Sequence, residues 1–185
     1  MHRPKYITSI RKDLGPVREP SRTYRMRLRA ILKHRKGRSV LDVGCGIGHI
    51  FGALVGRVKL YEYLGLDSDV IKVMECKKHF HKANFEQANF MCLDLDRKFD
   101  TVISENLMHY VNVRDLPAVL VELWSVTDRV LLVCIPIGTR TKKRIDKETL
   151  SVMIAGLNPS EYHVHKFRDK TYRRFTSDML IEVIR

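Results

Sequence analysis

The residues most suited to chemistry form a glycine-rich segment, Asp-Val-Gly-Cys-Gly-Ile-Gly, at positions 42–48. It follows the apolar run 39–41 and precedes the helix-compatible run 50–55. Glycines let a chain turn sharply from a strand into a helix, and the first N–H groups of that helix stay open to a ligand. Asp67 lies 23 residues after Gly44, near the roughly 20-residue offset at which an acid reaches ribose hydroxyls. The spacing predicts a pocket for a nucleotide-type cofactor.

The spacing of the glycines and the acid before them narrow the type of cofactor. Gly44, Gly46 and Gly48 are spaced G-x-G-x-G, and His49 stands where the dinucleotide fingerprint requires its third glycine. The Asp42 carboxylate would repel a pyrophosphate but attract a ligand that carries a sulfonium and an ammonium group. The segment therefore favours a cationic cofactor over a dinucleotide, and a glycine turn without a ligand is the alternative.

These residues resemble the first two motifs of class I S-adenosylmethionine-dependent methyltransferases. The resemblance implies S-adenosyl-L-methionine as cofactor, with Asp42 near its methionine end, the glycine turn as an open cradle and Asp67 on both ribose hydroxyls. The segment 92–95 is similar to the family motif after strand three, which implies that Asp94 holds the adenine amino group, with Leu93 or Leu95 beside the ring. The implied cofactor-binding residues are Asp42, Gly44, Cys45, Gly46, Gly48, Asp67, Ser68, Asp94, Leu95 and Ser104.

A candidate general base follows the fourth predicted strand, in the segment 104–110. If this segment forms a helical turn, Glu105 and His109 lie on one face at i and i+4. A carboxylate beside an imidazole raises its basicity and orients it. The segment resembles the S/N-x-x-L-x-H pattern of small-molecule methyltransferases, which implies catalytic roles for His109 and Glu105. A His109 that only packs or caps remains the alternative.

Strand and helix signals alternate after the glycine turn, as βαβ folds require. Strands are predicted at about 39–43, 62–67, 89–93, 100–104 and 129–135, and residues 162–167 and 176–184 should pair as an antiparallel hairpin. The resemblance implies a doubly wound α/β fold with a mostly parallel seven-stranded sheet of order 3-2-1-4-5-7-6 and an antiparallel last strand. The domain would span 39–185, preceded by a basic arm and an amphipathic helix over 1–38.

Apolar stripes predict the faces of the helices that pack against this sheet. Over about 22–36 the stripe includes Leu28, Ile31 and Leu32, and arginines and lysines occupy the rest of the helix. A later helix should turn five residues inward, namely Leu116, Val119, Leu120, Leu123 and Trp124. After a cap at Ser68, a helix should turn Val70, Ile71 and Met74 inward. A last helix should follow a cap at Asp146.

The basic charge of the chain points to an anionic partner. The net charge is +13 over 185 residues, and residues 1–38 contain 13 lysines and arginines against two acids. Nucleic acid, first RNA, is the leading substrate, held by residues 1–38 and by the basic segment 140–144. A small, acidic metabolite is the second candidate, and a non-catalytic cofactor-binding scaffold subunit is the third. Motifs for base-amine and pyrimidine-C5 methylation are absent from the sequence.

The remaining composition predicts a cytoplasmic protein that has no membrane-spanning segment and binds no metal. Apolar runs stay well below the roughly 18 residues that span a bilayer. Cys45, Cys76, Cys92 and Cys134 form no C-x-x-C pair, which is typical of reduced thiols. The pairs His79/His81 and His163/His165 show no neighbouring ligands at metal spacing, so surface histidines are expected and no metal site is predicted. The sequence does not predict the oligomeric state.

Overall fold

A computed structural model describes residues 22–55, 59, 62–105, 107–137, 145–167 and 177–185. The strands are β1 (Ser39–Val43), β2 (Glu62–Asp67), β3 (Asn84–Gln87), β4 (Phe99–Ser104), β5 (Thr127–Ile137), β6 (Glu161–Phe167) and β7 (Ser177–Ile184). The α-helices are α1 (Arg22–His34), α2 (His49–Leu54), α3 (Val70–His79), α4 (Leu116–Ser125) and α5 (Lys147–Ala155), and a 3-10 turn covers Leu107–His109. The predicted arm over residues 1–20 and the basic segment 140–144 lie outside the described residues.

The seven strands form one sheet of order β3-β2-β1-β4-β5-β7-β6. All neighbouring strands from β3 to β5 pair in parallel, whereas β7 runs antiparallel to both β5 and β6. The predicted fold class and strand order are confirmed. In the register, Asp42 of β1 lies opposite Gly65 of β2 and Ile103 of β4. The carboxyl ends of β1, β2 and β4 therefore meet at one edge of the sheet, where open α/β folds bind ligands.

Apolar side chains cover both faces of the sheet, as the alternation of strands and helices requires. On one face, α4 buries all five residues of its predicted stripe, and α5 follows the predicted cap Asp146, which accepts a hydrogen bond from the backbone N of Thr149 at 2.8 Å. On the other face, Ile31 of α1 is fully buried, and Leu28 and Leu32 pack against the same cluster. The amphipathic character of α1 is thus confirmed. Among the described helices, none combines the length and apolarity that a membrane crossing demands.

Strand β3 and helix α3 differ from the prediction. Strand β3 ends at Gln87, before the predicted range 89–93 begins, and it buries Phe85 against Gly65 of β2. A Cβ on Gly65 would lie 2.5 Å from the Phe85 ring, so this close contact fixes the position of the strand. The later apolar residues pack onto the core from a loop instead, and they include Phe90 and Leu93.

Helix α3 is capped by Asp69 rather than by Ser68. The Asp69 carboxylate accepts hydrogen bonds from the backbone N–H groups of two residues in the first turn. Val73 and Cys76 face inward, and the three residues predicted to do so are exposed: Val70, Ile71 and Met74. The Cys76 thiol contacts the carbonyl oxygen of Gly46 at 3.3 Å, which sets the rotation of the helix.

Candidate functional site

The glycine turn is tied to the end of the neighbouring strand. The backbone N–H groups of Gly44 and Cys45 both donate to the carbonyl oxygen of Leu66, at 2.7 and 2.9 Å. The turn therefore cannot move independently of β2. All three glycines of the motif have positive φ, a conformation that residues with a side chain rarely adopt.

Two of these glycines serve different purposes. A Cβ on Gly48, with φ of 75°, would lie 2.5 Å from the Phe80 ring, so this glycine lets α2 pack closely against the end of α3. A Cβ on Gly46, with φ of 55°, would meet no atom within 4 Å. The space in front of Gly46 is thus open, and a side chain there would fill room that a ligand can use.

Asp67 ends β2 and faces the turn. Its Oδ2 accepts the N–H of Gly46 at 2.8 Å, and its Oδ1 accepts the N–H of Asp69 at 3.0 Å. Each carboxylate oxygen can accept two hydrogen bonds. Both oxygens of this half-buried side chain therefore retain capacity for ligand hydroxyls.

A crevice opens between the turn, the end of β2 and the loop after β3. Its lining residues are Val43, Gly44, Leu66, Asp67, Ser68, Ala88, Phe90 and Leu107. It encloses about 30 Å³, room for about two water molecules. The expected open cradle is therefore narrower than predicted, because Leu107 lies over Gly44, where its Cβ would be 3.0 Å from a Cβ on the glycine.

Asp42 lies beneath the turn, 1% exposed. The Tyr63 hydroxyl donates to its Oδ2 at 2.5 Å. Burial raises the pKa of Asp42 to about 7, and the nearby Glu105 and Asp67 carboxylates act in the same direction, while the Tyr63 hydrogen bond opposes them. Asp42 can thus change its charge near neutral pH, and a cation close to the turn would favour the ionised form.

Cys45 and Cys76 lie on either side of the turn. Both thiols are buried and approach the carbonyl oxygen of Gly46, at 3.8 and 3.3 Å respectively. The hydrogen bond to Cys76 and burial raise the pKa of Cys45 far above its ordinary value. Cys45 is therefore a packing residue rather than a nucleophile, and any cofactor contact passes through its backbone.

The segment after β4 places Glu105 against helix α1. Its carboxylate is 6% exposed and receives the Arg27 guanidinium, with Nε 2.7 Å from Oε1. His109 is half-buried at the end of the 3-10 turn, two residues from Leu107 in the crevice wall. The segment thus lies at the carboxyl edge of the sheet, and Glu105 also anchors α1. No local pattern in the sequence indicates the contact with Arg27, which is 78 residues away.

The other predicted contacts are spread over the edge of the sheet. Ser68 lines the crevice beside Asp67, and Ser104 is buried at the end of β4, where its Oγ has no hydrogen-bond partner among the described residues. Asp94 is exposed, with φ of 39°, and Leu95 packs partly against the core. Neither Asp94 nor Leu95 lines the crevice. Ala88 and Phe90, which sequence reasoning missed because it placed β3 too late, line it instead.

Comparisons with known proteins agree with this geometry. Residues 40–129 match the family model described as a methyltransferase domain, and this range covers the glycine turn, Asp67 and the end of β4. This part of the chain matches a methyltransferase domain, and the sheet has the strand order of the class I methyltransferase fold. The methyl donor of that family is S-adenosylmethionine. Methyltransferase 235L of Invertebrate iridescent virus 6 is 27% identical over 73 residues, which is 40% of this chain and only 28% of the viral protein.

Solved structures support the same fold. Magnesium protoporphyrin IX methyltransferase from Synechocystis PCC 6803, with bound S-adenosylhomocysteine, has a TM-score of 0.68 and 15% identity, covering 97% of this chain and 94% of that one. An S-adenosylmethionine-dependent methyltransferase from Clostridium acetobutylicum ATCC 824 has a TM-score of 0.68 and 11% identity, covering 97% of both chains. At these identities the likeness concerns the fold.

Proposed function

We propose that this protein transfers a methyl group from S-adenosylmethionine to an anionic substrate. The observation that carries the proposal is the facing pair of Asp67 and Gly46. The carboxylate at the end of β2 holds the turn through one N–H, while the space in front of the glycine is open. An acid at this position suits ribose hydroxyls, and an open glycine turn suits the close approach of a cofactor.

The remaining residues of the edge fit the same cofactor. Asp42 supplies negative charge under the turn, which favours a sulfonium and an ammonium group. The unpartnered Ser104 hydroxyl at the end of β4 offers a hydrogen bond to a polar ligand group. Phe90 would lie against the adenine face from the loop after β3, and Asp94 stays a candidate for the amino group only if that loop rearranges.

Methyl transfer from a sulfonium is an in-line displacement, for which the protein mainly positions the acceptor. His109, two residues beyond Leu107, is the proposed general base for an acceptor that must lose a proton. Glu105 is the proposed partner that orients it, in addition to binding Arg27.

Exposed basic residues near this edge favour an anionic acceptor, with RNA as the first candidate. Helix α1 contacts the site through Arg27 and exposes Arg25 and Arg29 beside it. Such a surface attracts phosphates. A small acidic metabolite is the second candidate, supported by the resemblance of the His109 segment to small-molecule enzymes. A scaffold that binds the cofactor without turnover is the third.

Calorimetric titration with S-adenosylmethionine tests the cofactor site. We expect Asp67→Ala to lower affinity at least tenfold with the fold intact, because the ribose hydroxyls and the Gly46 N–H lose their acceptor. The exposed Asp96→Ala is the matched control. Equal affinity in wild type and Asp67→Ala would refute the assignment.

Transfer of labelled methyl into RNA, protein and small-molecule pools tests the acceptor. Label in RNA that disappears at high salt supports the first candidate, and label in small molecules supports the second. In the pool that is labelled, His109→Ala should lower turnover more than cofactor affinity. Cofactor binding without label in any pool would leave only the scaffold.

A further inference from the structure

Three side chains that are far apart in sequence meet between helix α1 and the terminal hairpin. His34 lies at the end of α1, His165 in β6 and Glu182 in β7. The Nδ1 of His34 lies 2.8 Å from Oε2 of Glu182, and the Nε2 of His165 lies 3.1 Å from the same oxygen. The two imidazole rings are 4.2 Å apart between centroids. Their potential ligand atoms all lie within 4.8 Å of one another.

The arrangement corrects the expectation that His165 is a plain surface histidine. Its side chain is only 27% exposed, and the carboxylate near it belongs to the partner strand of the hairpin, which no local spacing reveals. His163, two residues earlier, does face solvent and pairs with Glu161 instead. The two histidines of this His-x-His pair therefore have different surroundings.

The three side chains have the composition of a zinc site. Two imidazole nitrogens and one carboxylate oxygen are ligands that zinc binds, at about 2.0–2.2 Å each. Ligand atoms of a tetrahedral site at such distances lie about 3.4 Å apart. The observed separations of 2.8 Å and 3.1 Å, and the limit of 4.8 Å for the third, require only small side-chain rotations. Magnesium and calcium prefer all-oxygen sites, so nitrogen ligands favour a transition ion.

Burial and access also fit a bound cation. The Glu182 side chain is only 4% exposed, and a buried carboxylate requires compensating charge or several hydrogen bonds. The rings are partly accessible, His34 at 20% and His165 at 27%, which leaves an entry path and room for a water as fourth ligand.

The cluster is separate from the cofactor crevice. Arg27 and His34 are seven residues apart on α1, which corresponds to about 10 Å along a helix. Arg27 reaches the crevice edge through Glu105, and His34 lies toward the other end of the helix. None of the three cluster residues lines the crevice. A cation here would join α1 to β6 and β7 rather than take part in methyl transfer.

We propose that His34, His165 and Glu182 form a structural zinc site that fastens helix α1 to the terminal hairpin. The test uses the full-length protein, stripped of metal with a chelator and titrated with Zn²⁺ by calorimetry. Co²⁺ replaces Zn²⁺ in a parallel titration, because four-coordinate cobalt absorbs visible light. We expect one ion per chain and, at about a 100-fold excess over Kd, a rise in Tm of about 5–10 °C.

Variants distinguish this site from other places where zinc could bind. His165→Ala and Glu182→Gln should each lower zinc affinity at least tenfold. In Glu182→Gln the side-chain oxygen can still accept hydrogen bonds from both imidazoles. This variant therefore distinguishes a metal site from three side chains that are only hydrogen-bonded. His163→Ala is the matched control and should bind zinc like wild type.

The histidine ring signals in NMR spectra of the wild-type protein give a readout that needs no variant. Zinc should shift the rings of His34 and His165 and leave His163 unchanged. Absence of zinc binding, equal affinity in Glu182→Gln and wild type, or a shift of His163 alone would each overturn the proposal.

Discussion

Replacement of the buried Asp42 by asparagine should change how the stability of the protein depends on pH. Burial raises the pKa of Asp42 from its ordinary value near 3.8 to about 7. Because the folded-state pKa lies above the unfolded value, this carboxyl favours the folded state fully only below about pH 4, and that contribution is lost as the pH rises through 7. Asparagine has the same shape and does not titrate, so the loss should be missing in Asp42→Asn.

The magnitude follows from the size of the shift. About three pKa units correspond to about 4 kcal/mol. Relative to wild type, the free energy of unfolding of Asp42→Asn should change little near pH 4 and increase by about 4 kcal/mol near pH 8. The buried amide adds a cost that does not depend on pH. The Tyr63 hydroxyl can donate to the asparagine oxygen, but the two amide N–H groups replace a carboxylate oxygen and need acceptors of their own. The informative quantity is therefore the change of the difference with pH.

Urea denaturation of both proteins between about pH 4 and pH 8 measures this quantity, since groups that titrate in both proteins cancel in the difference. Tyr63→Phe is a useful second variant. It removes the donor that favours the ionised carboxylate, so its loss of stability should extend to higher pH than in wild type. Parallel stability curves for wild type and Asp42→Asn would refute the reasoning.

Two further predictions concern the glycine turn and the ion pair between helix α1 and Glu105. Because Gly46 has a φ of 55°, Gly46→Ala should cost about 1–2 kcal/mol of stability. Its methyl group enters the open space and should lower cofactor affinity at least tenfold. Gly48→Ala should instead destabilise strongly through the Phe80 contact, and similar denaturation midpoints for the two variants would contradict the distinction. Arg27→Ala removes the guanidinium that pairs with the buried Glu105 carboxylate and should cost about 3–5 kcal/mol in urea denaturation. The exposed Arg25→Ala should cost almost nothing, and equal losses for these two variants would show that the ion pair contributes little.

Features set by residues close in sequence could be predicted. The glycine turn follows the short apolar run of β1, and Asp67 ends the short apolar run of β2. The apolar residues of α4 recur at helical spacing. Strand β3 was misplaced because Phe90 and Leu93 are as apolar as a strand, although they pack from a loop. The inward face of α3 was wrong because the Cys76 contact with the glycine turn, rather than the apolar count, sets its rotation.

Contacts between distant parts of the chain could not be predicted. Arg27 and Glu105 are 78 residues apart, and His165 meets Glu182 only because β6 and β7 pair in one particular register. The ring contact between His34 and His165 joins the first described helix to the terminal hairpin. Sequence spacing does not reveal such long-range contacts, so the pairing of these charged groups became visible only in the fold.

Helix α1 has a consequence for where this protein can be cut. It supplies Arg27 to one interior carboxylate and His34 to another, Glu105 and Glu182, and each of these acids is almost inaccessible to water. Deleting the residues before position 39 would remove the Arg27 guanidinium from Glu105 and the His34 imidazole from Glu182, which would keep its contact with His165. Loss of the buried Arg27 ion pair alone should cost several kcal/mol. The fold therefore depends on helix α1 as well as on residues 39–185, and a shortened version for expression should begin ahead of residue 22.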